Sequence, residues 1–341
     1  MMSIKVSIDA SGGDFGFPVT VNAGINALKI YNDLVINFVG DKSGIEKELK
    51  NISLSSKFSN RIVITHASEV INMDDSPSVA LRHKKDSSMR VAINLVKNGE
   101  VDACVSAGNT GALMSIARFV LKTISGVDRP AIMSAVPTLM GPTHVLDLGA
   151  NIDSKPSTLL QFAIMGSIAV QNTENIDKPS VGLLNVGTEE LKGNEKSQET
   201  SELLKNSSLN YIGFVEGDDI YKGNVDVIVC DGFEGNIALK ASEGVAKMFS
   251  FFIKKSFTKN IFTKLVALIA IPVMKDFRSK VDPGKYNGAS LLGLKGVVVK
   301  SHGNADVDSF QQAIKEAYLE ANTKITDKIS EQLTRELEEH K

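Results

Sequence analysis

The chain has 341 residues, enough for a large core with a cleft and more than a small binding module needs. Its 38 Lys and Arg against 40 Asp and Glu leave no overall basic field, so nucleic acid is not an expected partner. Apolar residues make up 43% and tryptophan is absent, which calls for an aliphatic core; Cys104 and Cys230, without a CxxC partner, are expected as inert reduced thiols in a cytoplasmic setting.

Residues 4–10, IKVSIDA, start an apolar run with no basic region or separate signal segment before it. Comparable runs recur at 34–40, 61–67, 101–108, 143–149, 180–187 and 225–232, most of them breaking into Gly, Asp or Asn before a longer helical pattern. Parallel strands buried on both faces read as continuous apolar runs, so this rhythm predicts a doubly wound α/β fold. Helical patterns fall at 76–98, 109–124, 155–172, 196–206, 235–259 and 305–321. GEVDACVSAGNTG at 99–111 and GNVDVIVCDGFEG at 223–235 share three glycines and a Val-Asp-x-x-Val core, through reuse of one strand–turn–helix solution or an ancient duplication. Either origin places two similar turns on the rim of a sheet, where ligands bind.

Between 240 and 281, aliphatic runs alternate with lysines and predict a helical hairpin, loosened at Asn260 and bent or ended at Pro272. Its apolar tip suits a dimer contact, a reversible membrane or carrier contact, or simple core. The longest apolar run, Leu265 to Val273, is nine residues, too short for a helix spanning a hydrocarbon core of about 30 Å. Residues 1–320 are read as one catalytic α/β unit and 321–341 as a polar tail, a solvated helix with a frayed end.

Polar residues gather where the strands end. Asp9, Gly12, Gly13 and Asp14 form a turn whose amides suit an anion, and Asn109 and Thr110 open a helix after a glycine turn, a natural phosphate seat. Arg82, Lys84, Lys85, Ser87 and Ser88 supply cations and hydroxyls, or form a solvated helix face. Asp147 and Asn151 follow one strand, and Asn185, Glu189 and Lys192 follow another. Asp231 and Asn287 join the substrate-binding candidates, and Asn236 the catalytic ones. His66 and His302 are candidates for charge or proton management. With no HExxH, no P-loop pattern, no GxSxG elbow and no nicotinamide fingerprint, neither metal nor cofactor is expected.

Several segments, in order, resemble the bacterial phosphate acyltransferases of phospholipid synthesis. They are IDASGGDFG (8–16), HASEVINMDDSPSVALRHKKDSSM (66–89), SAGNTGALM (106–114), RPAI (129–132), LDLGAN (146–151), GLLNVGTEELKGNE (182–195), VCDGFEGNIALK (229–240) and YNGASLLGLKGVVVKSHGNAD (286–306). The resemblance runs to about Ala317. Ser11 departs from the methionine usual in the family's opening motif, which touches local packing more than chemistry. Phe233 and Glu234 replace the Asn-Thr pair of the first turn, so the two turns need not bind the same group.

The resemblance implies transfer of a long-chain acyl group from acyl carrier protein to inorganic phosphate. The acyl phosphate then feeds a downstream glycerol phosphate acyltransferase. It also implies a homodimer with an α/β/α sandwich like those of phosphotransacetylases and isopropylmalate dehydrogenases, an inserted helical hairpin, and peripheral contact with the inner face of the membrane. In the mechanism expected on that basis, phosphate sits near Asn109 and Thr110 with Arg82, Lys84 or Lys85. Lys192, Asn185 or Asn236 polarises the thioester, and His66 or His302 manages charge. With phosphate as nucleophile no protein nucleophile is required. Transfer of a short acyl group from coenzyme A, a dehydrogenase on a related fold, and a noncatalytic scaffold stay open as alternatives.

Overall fold

Strand residues alternate between two cores, and that alternation builds the molecule. Along the first strand Val6 and Ile8 enter one aliphatic cluster, while Ser7 faces the other side and bonds to the Ala92 carbonyl. The computed structural model describes residues 3–52 and 56–339. In chain order the first half holds β1 (Ile4–Asp9), α1 (Phe17–Ile30), β2 (Leu34–Gly40), α2 (Lys42–Asn51), α3 (Ser56–Ser59), β3 (Ile62–His66), α4 (Pro77–His83), α5 (Ser88–Lys97), β4 (Ala103–Ser106) and α6 (Thr110–Leu121). The middle holds β5 (Ala131–Pro137), β6 (Pro142–Leu146), α7 (Pro156–Thr173), β7 (Ser180–Leu184), α8 (Glu195–Lys205), β8 (Asn210–Val215) and β9 (Val227–Val229). The remainder is α9 (Gly232–Phe257), α10 (Ile261–Val281), β10 (Ala289–Leu292), β11 (Val297–Lys300), α11 (Val307–Asn322) and α12 (Ile325–Glu339).

Among the described residues the strands join in one eleven-stranded sheet, in the order β3-β2-β1-β4-β11-β10-β5-β6-β9-β7-β8. The two ends are parallel, but β10 pairs antiparallel with both β11 and β5, and β5 pairs antiparallel with β6. The strands of the two halves therefore run in opposite directions. One core joins the sheet to α1, α7 and α11 and the other joins it to α5 and α6, which is the expected sandwich. The two similar segments become β4–α6 and β9–α9. Each keeps its aspartate for the same task, Asp102 accepting from the Lys5 amide and Asp226 from the Ser180 amide, both at 2.7 Å.

Four strands, β5, β8, β10 and β11, and helices α1, α2 and α3 fall outside the expected elements. The helix expected over 76–98 is two helices, because Ser76 and Ser87 each cap a separate start. Asn260 caps α10, as a break there predicts, but Pro272 does not end that helix. The expected solvated tail forms α12, yet its Ile325, Ile329 and Leu333 are buried, since their spacing of four puts them on one stripe facing α7. No single helix among the described residues is long and apolar enough to cross a membrane; α9 and α10 meet at a bend of 119°.

Candidate active site

Asp9, Ser106 and Lys300 are the last residues of β1, β4 and β11, and the register sets them side by side. Each follows a residue of the α1/α11 core, so alternation turns all three toward the α5/α6 side. Asp9 Oδ2 accepts from Ser106 Oγ at 2.6 Å, and Ser88 also bonds to the carboxylate. Asp9 Oδ1 has no partner although the residue is only 1% exposed. Burial raises the Asp9 pKa against the lowering effect of these hydroxyls, the Gly12 amide and Lys300. Lys300 is 8% exposed; its Nζ lies 3.5 Å from the Ala107 carbonyl oxygen and donates to that of Ser301. Burial pulls the Lys300 pKa down to about 8, although Asp9 and Asp14 oppose the fall.

The glycine turns close around this row. A Cβ on Gly12 would stand 2.6 Å from Asp9 Oδ2 and 3.0 Å from the Gly108 nitrogen. The Asp14 amide donates to the Gly303 carbonyl at 2.8 Å, which ties the first turn to the segment after β11. Asn109 caps α6 by accepting from the Ala112 amide at 3.0 Å, and its own amide donates to the carbonyls of Met73 and Asp75 at 2.7 and 3.0 Å. Lys84 Nζ lies 2.5 Å from Asp75 Oδ2, so its charge is already matched by a carboxylate. Arg82 and Lys85 are exposed, whereas Ser87 and Ser88 are buried at the start of α5. Buried Asn287 donates to Ser301 Oγ and the Ser309 carbonyl, each at 2.8 Å, and accepts from the His302 amide at 2.9 Å, which pins the loop after β11. The His302 ring is exposed at a crowded rim, where desolvation and then the Lys300 charge lower its pKa. His66 lies on the same rim at the edge strand β3, its Nδ1 accepting from the Lys42 amide at 3.3 Å.

A second rim forms where β6, β7 and β9 end. Asp147 is buried and accepts from the amides of Ile132, Ala150 and Asn151 and from the Asn151 side chain, at 2.7 to 3.2 Å. Burial still raises its pKa. Asp231 caps α9, accepting from the Ser154 and Phe233 amides at 2.6 and 3.0 Å, with Lys196 Nζ at 3.7 Å. Burial opposes, but these amides and Lys196 hold its pKa below the ordinary aspartate value. Lys192 and Glu189 are exposed, 4.0 Å apart, on a loop where the Asn185 side chain donates to the Gly187 carbonyl at 3.2 Å. Asn236 is exposed against Gly149.

One row crosses the sheet at a single height, through Val105, Val299, Ser290, Met133, Leu146 and Val229. From it β4 and β11 leave toward one side, and β6 and β9 toward the other. Five strand spacings separate β7 from β11, roughly 24 Å at about 4.8 Å each. The fold thus brings Asp9, Gly12, Gly13, Asp14, Ser88 and Asn109 together with Lys300 and His302. Within one chain it does not bring Asn185, Glu189 or Lys192 to them. Helix α9 links the rims: it starts beside Asp147, and its Lys240, Glu243 and Lys247 come close enough to act on the His302 charge. Elsewhere, a cavity of about 160 Å³ between α11 and the sheet is lined partly by His144, by the carboxylates Glu174 and Glu316, and by Lys285 and Lys315. Among the described residues no group of three or more His, Cys, Asp or Glu is placed to hold a metal ion.

The family model described as "Fatty acid synthesis protein" matches residues 4–328. A protein named phosphate acyltransferase from Ruthia magnifica subsp. Calyptogena magnifica is 67% identical over 99% of each chain. Another of that name, from Hydrogenovibrio crunogenus, is 53% identical over 99% of this chain and 100% of its own. This chain belongs to the phosphate acyltransferase family. Its fold is that of solved phosphotransacetylases from Streptococcus pyogenes and Staphylococcus aureus, with TM-scores of 0.63 and 0.61, 16% identity to each, and 94% of each chain covered. That likeness is one of fold alone.

Within this phosphate acyltransferase family member, Lys300 and Ser106 are the rim residues that motif reading passes over in favour of His302 and Asn109. A signal was present: Lys300 is the one charge closing the apolar run GVVV, where a strand buried on both faces has no reason to carry a lysine.

Proposed function

We propose that this chain transfers the acyl group of long-chain acyl-acyl-carrier-protein to inorganic phosphate, giving acyl phosphate and free carrier protein for phosphatidic acid and phospholipid synthesis. The near full-length identity to proteins named phosphate acyltransferase carries this reading. The first rim suits the chemistry, with close-packed glycine turns beside the start of α6. A phosphate oxygen attacks the thioester carbonyl carbon and forms the new C–O bond. The C–S bond then breaks with its electron pair on sulfur, and the proton of hydrogen phosphate ends on that sulfur as the free thiol. No cysteine is needed as nucleophile. Burial pushes the Cys104 thiol up to about 12 and raises Cys230 further, so neither serves as a thiolate.

Lys192 and Asn185 act on the thioester only if the two rims meet, so a second copy of the chain is part of their proposed role, whereas Asn236 sits on α9, one turn before Lys240. The homodimer and a peripheral contact with the inner membrane face are assigned to α9 and α10, where Phe249, Phe251, Phe262, Ile269 and Val273 are all more than half exposed beside lysines. The downstream acceptor is a glycerol phosphate acyltransferase. Purified chain is incubated with phosphate and matched long-chain acyl-carrier, long-chain acyl-CoA or short acyl-CoA donors, and acyl phosphate is trapped with hydroxylamine. Phosphate-dependent product from the long-chain carrier thioester is expected. Product from short acyl-CoA alone rejects the donor assignment, and carrier binding without turnover leaves only a scaffold.

A further inference from the structure

We propose that Lys300, steadied by Asp9, is the cation that seats inorganic phosphate in the first rim, a role that rests on the transfer reaction proposed above. Three observations converge on it. Lys300 ends β11 on the same face as Asp9 and Ser106, in the row where the glycine turns meet. Its Nζ donates only to main-chain carbonyls, those of Ser301 and Ala107, and carbonyls leave its charge unmatched. Asp9 keeps one carboxylate oxygen without a partner in the same buried row. A dianion at Nζ gives Lys300 the direct ion pair that neither Asp9 nor Asp14 makes with it, while an unpartnered Asp9 oxygen accepts the proton of hydrogen phosphate in a hydrogen bond. The expected cations of the neighbouring segment are placed otherwise: Lys84 is matched by Asp75, and Arg82 and Lys85 are exposed.

Three charged groups act on Lys300 itself, Asp9 from β1, Asp14 from the following turn and Lys240 from α9, while neighbouring His302 feels Lys300 together with Lys240, Glu243 and Lys247 of α9. With the two carboxylates opposing and Lys240 assisting, its free ammonium loses its proton near pH 8. Phosphate affinity in the full chain therefore falls as pH rises through that value, where phosphate is already mostly the dianion.

Calorimetric titration with inorganic phosphate, without acyl donor, tests this on wild type, Lys300→Met and Lys300→Arg. Lys300→Met is expected to weaken phosphate binding about 10- to 100-fold, the size of one charge-assisted hydrogen bond, and Lys300→Arg to recover part of the loss. In turnover the KM for phosphate rises alike while the KM for the acyl donor changes less than about threefold, a split that mere loosening of the fold does not produce. A folded Lys300→Met protein with unchanged phosphate affinity overturns the proposal. So does a wild-type affinity that stays flat between pH 7.5 and 9.5, a result that needs no variant. If wild type binds phosphate through Lys300 but forms no acyl phosphate from any donor, the transfer reaction fails and the phosphate seat stands.

Discussion

Gly13 has φ of +82°, and a Cβ there would stand 2.9 Å from the Ala107 Cβ and 3.0 Å from the Gly303 carbonyl oxygen. Gly16 has φ of +56° but nothing within 4 Å of its Cβ position. The pair separates backbone preference from close approach. Gly16→Ala is expected to lose roughly 1–2 kcal/mol of stability by chemical denaturation, because its φ of 56° with ψ of −137° lies outside the left-handed helical well, where alanine is strained. Gly13→Ala adds a clash at the turn that holds the rim, for a total of about 2–3 kcal/mol. It is also expected to raise the KM for phosphate, which Gly16→Ala leaves nearly unchanged. Asp9, Gly12, Gly13 and Asn109 were legible as a turn cluster because glycine and capping residues announce themselves locally. Lys300 was not, because what sets it apart is its burial beside a strand nearly two hundred residues away in the chain.

At the scale of elements, the two helical segments after β9 and after β11 contrast. Both alternate apolar residues with charges, yet α12 buries its stripe against α7 while α10 leaves Ile269 81% exposed. Leu333→Ala in α12 is therefore expected to cost about 2–4 kcal/mol in urea unfolding, through lost burial and the cavity left behind. Ile269→Asp in α10 is expected to stay within about 0.5 kcal/mol of wild type while weakening dimer formation or vesicle binding. A large loss of stability from Ile269→Asp in the isolated protomer shows that α10 packs into the core instead. The same contrast explains why a polar tail was the natural reading of 321–341: a few apolar residues among many charges look solvated until a partner helix covers them.

Across the whole molecule, the sheet's central region carries ionisable groups far from the rims. Glu320 in α11 is 2% exposed, donated to by Ser290 Oγ and close to Glu316, with Glu174 near that second carboxylate. Desolvation, and then the Glu316 charge, push its pKa up to about 8 from the ordinary 4.5. The native state keeps a proton that the unfolded chain has released between those values, so this contribution is complete below pH 4.5 and is lost as pH rises through about 8. Unfolding free energy is expected to decline from pH 5.5 to 7.5 in wild type. Glu320→Gln, which cannot ionise, flattens that decline and gains about 1–3 kcal/mol relative to wild type at the upper end. Lys300 acts in the opposite sense only at higher pH, between about 8 and its unfolded value of 10.5, which keeps the two contributions apart.

The sequence by itself determined the α/β class, the family, the turn-forming residues at strand ends and the apolar hairpin, because hydrophobic period, glycine position and helix capping act over a few neighbouring residues. Only the tertiary structure decided that β10, β5 and β6 reverse direction, so that strands of the two halves end on opposite sides of one row. Strand direction and register depend on pairings between distant segments, which no local pattern encodes. Those pairings separate Lys192 and Asn185 from Asp9 within one chain, and they lay Lys300 beside it.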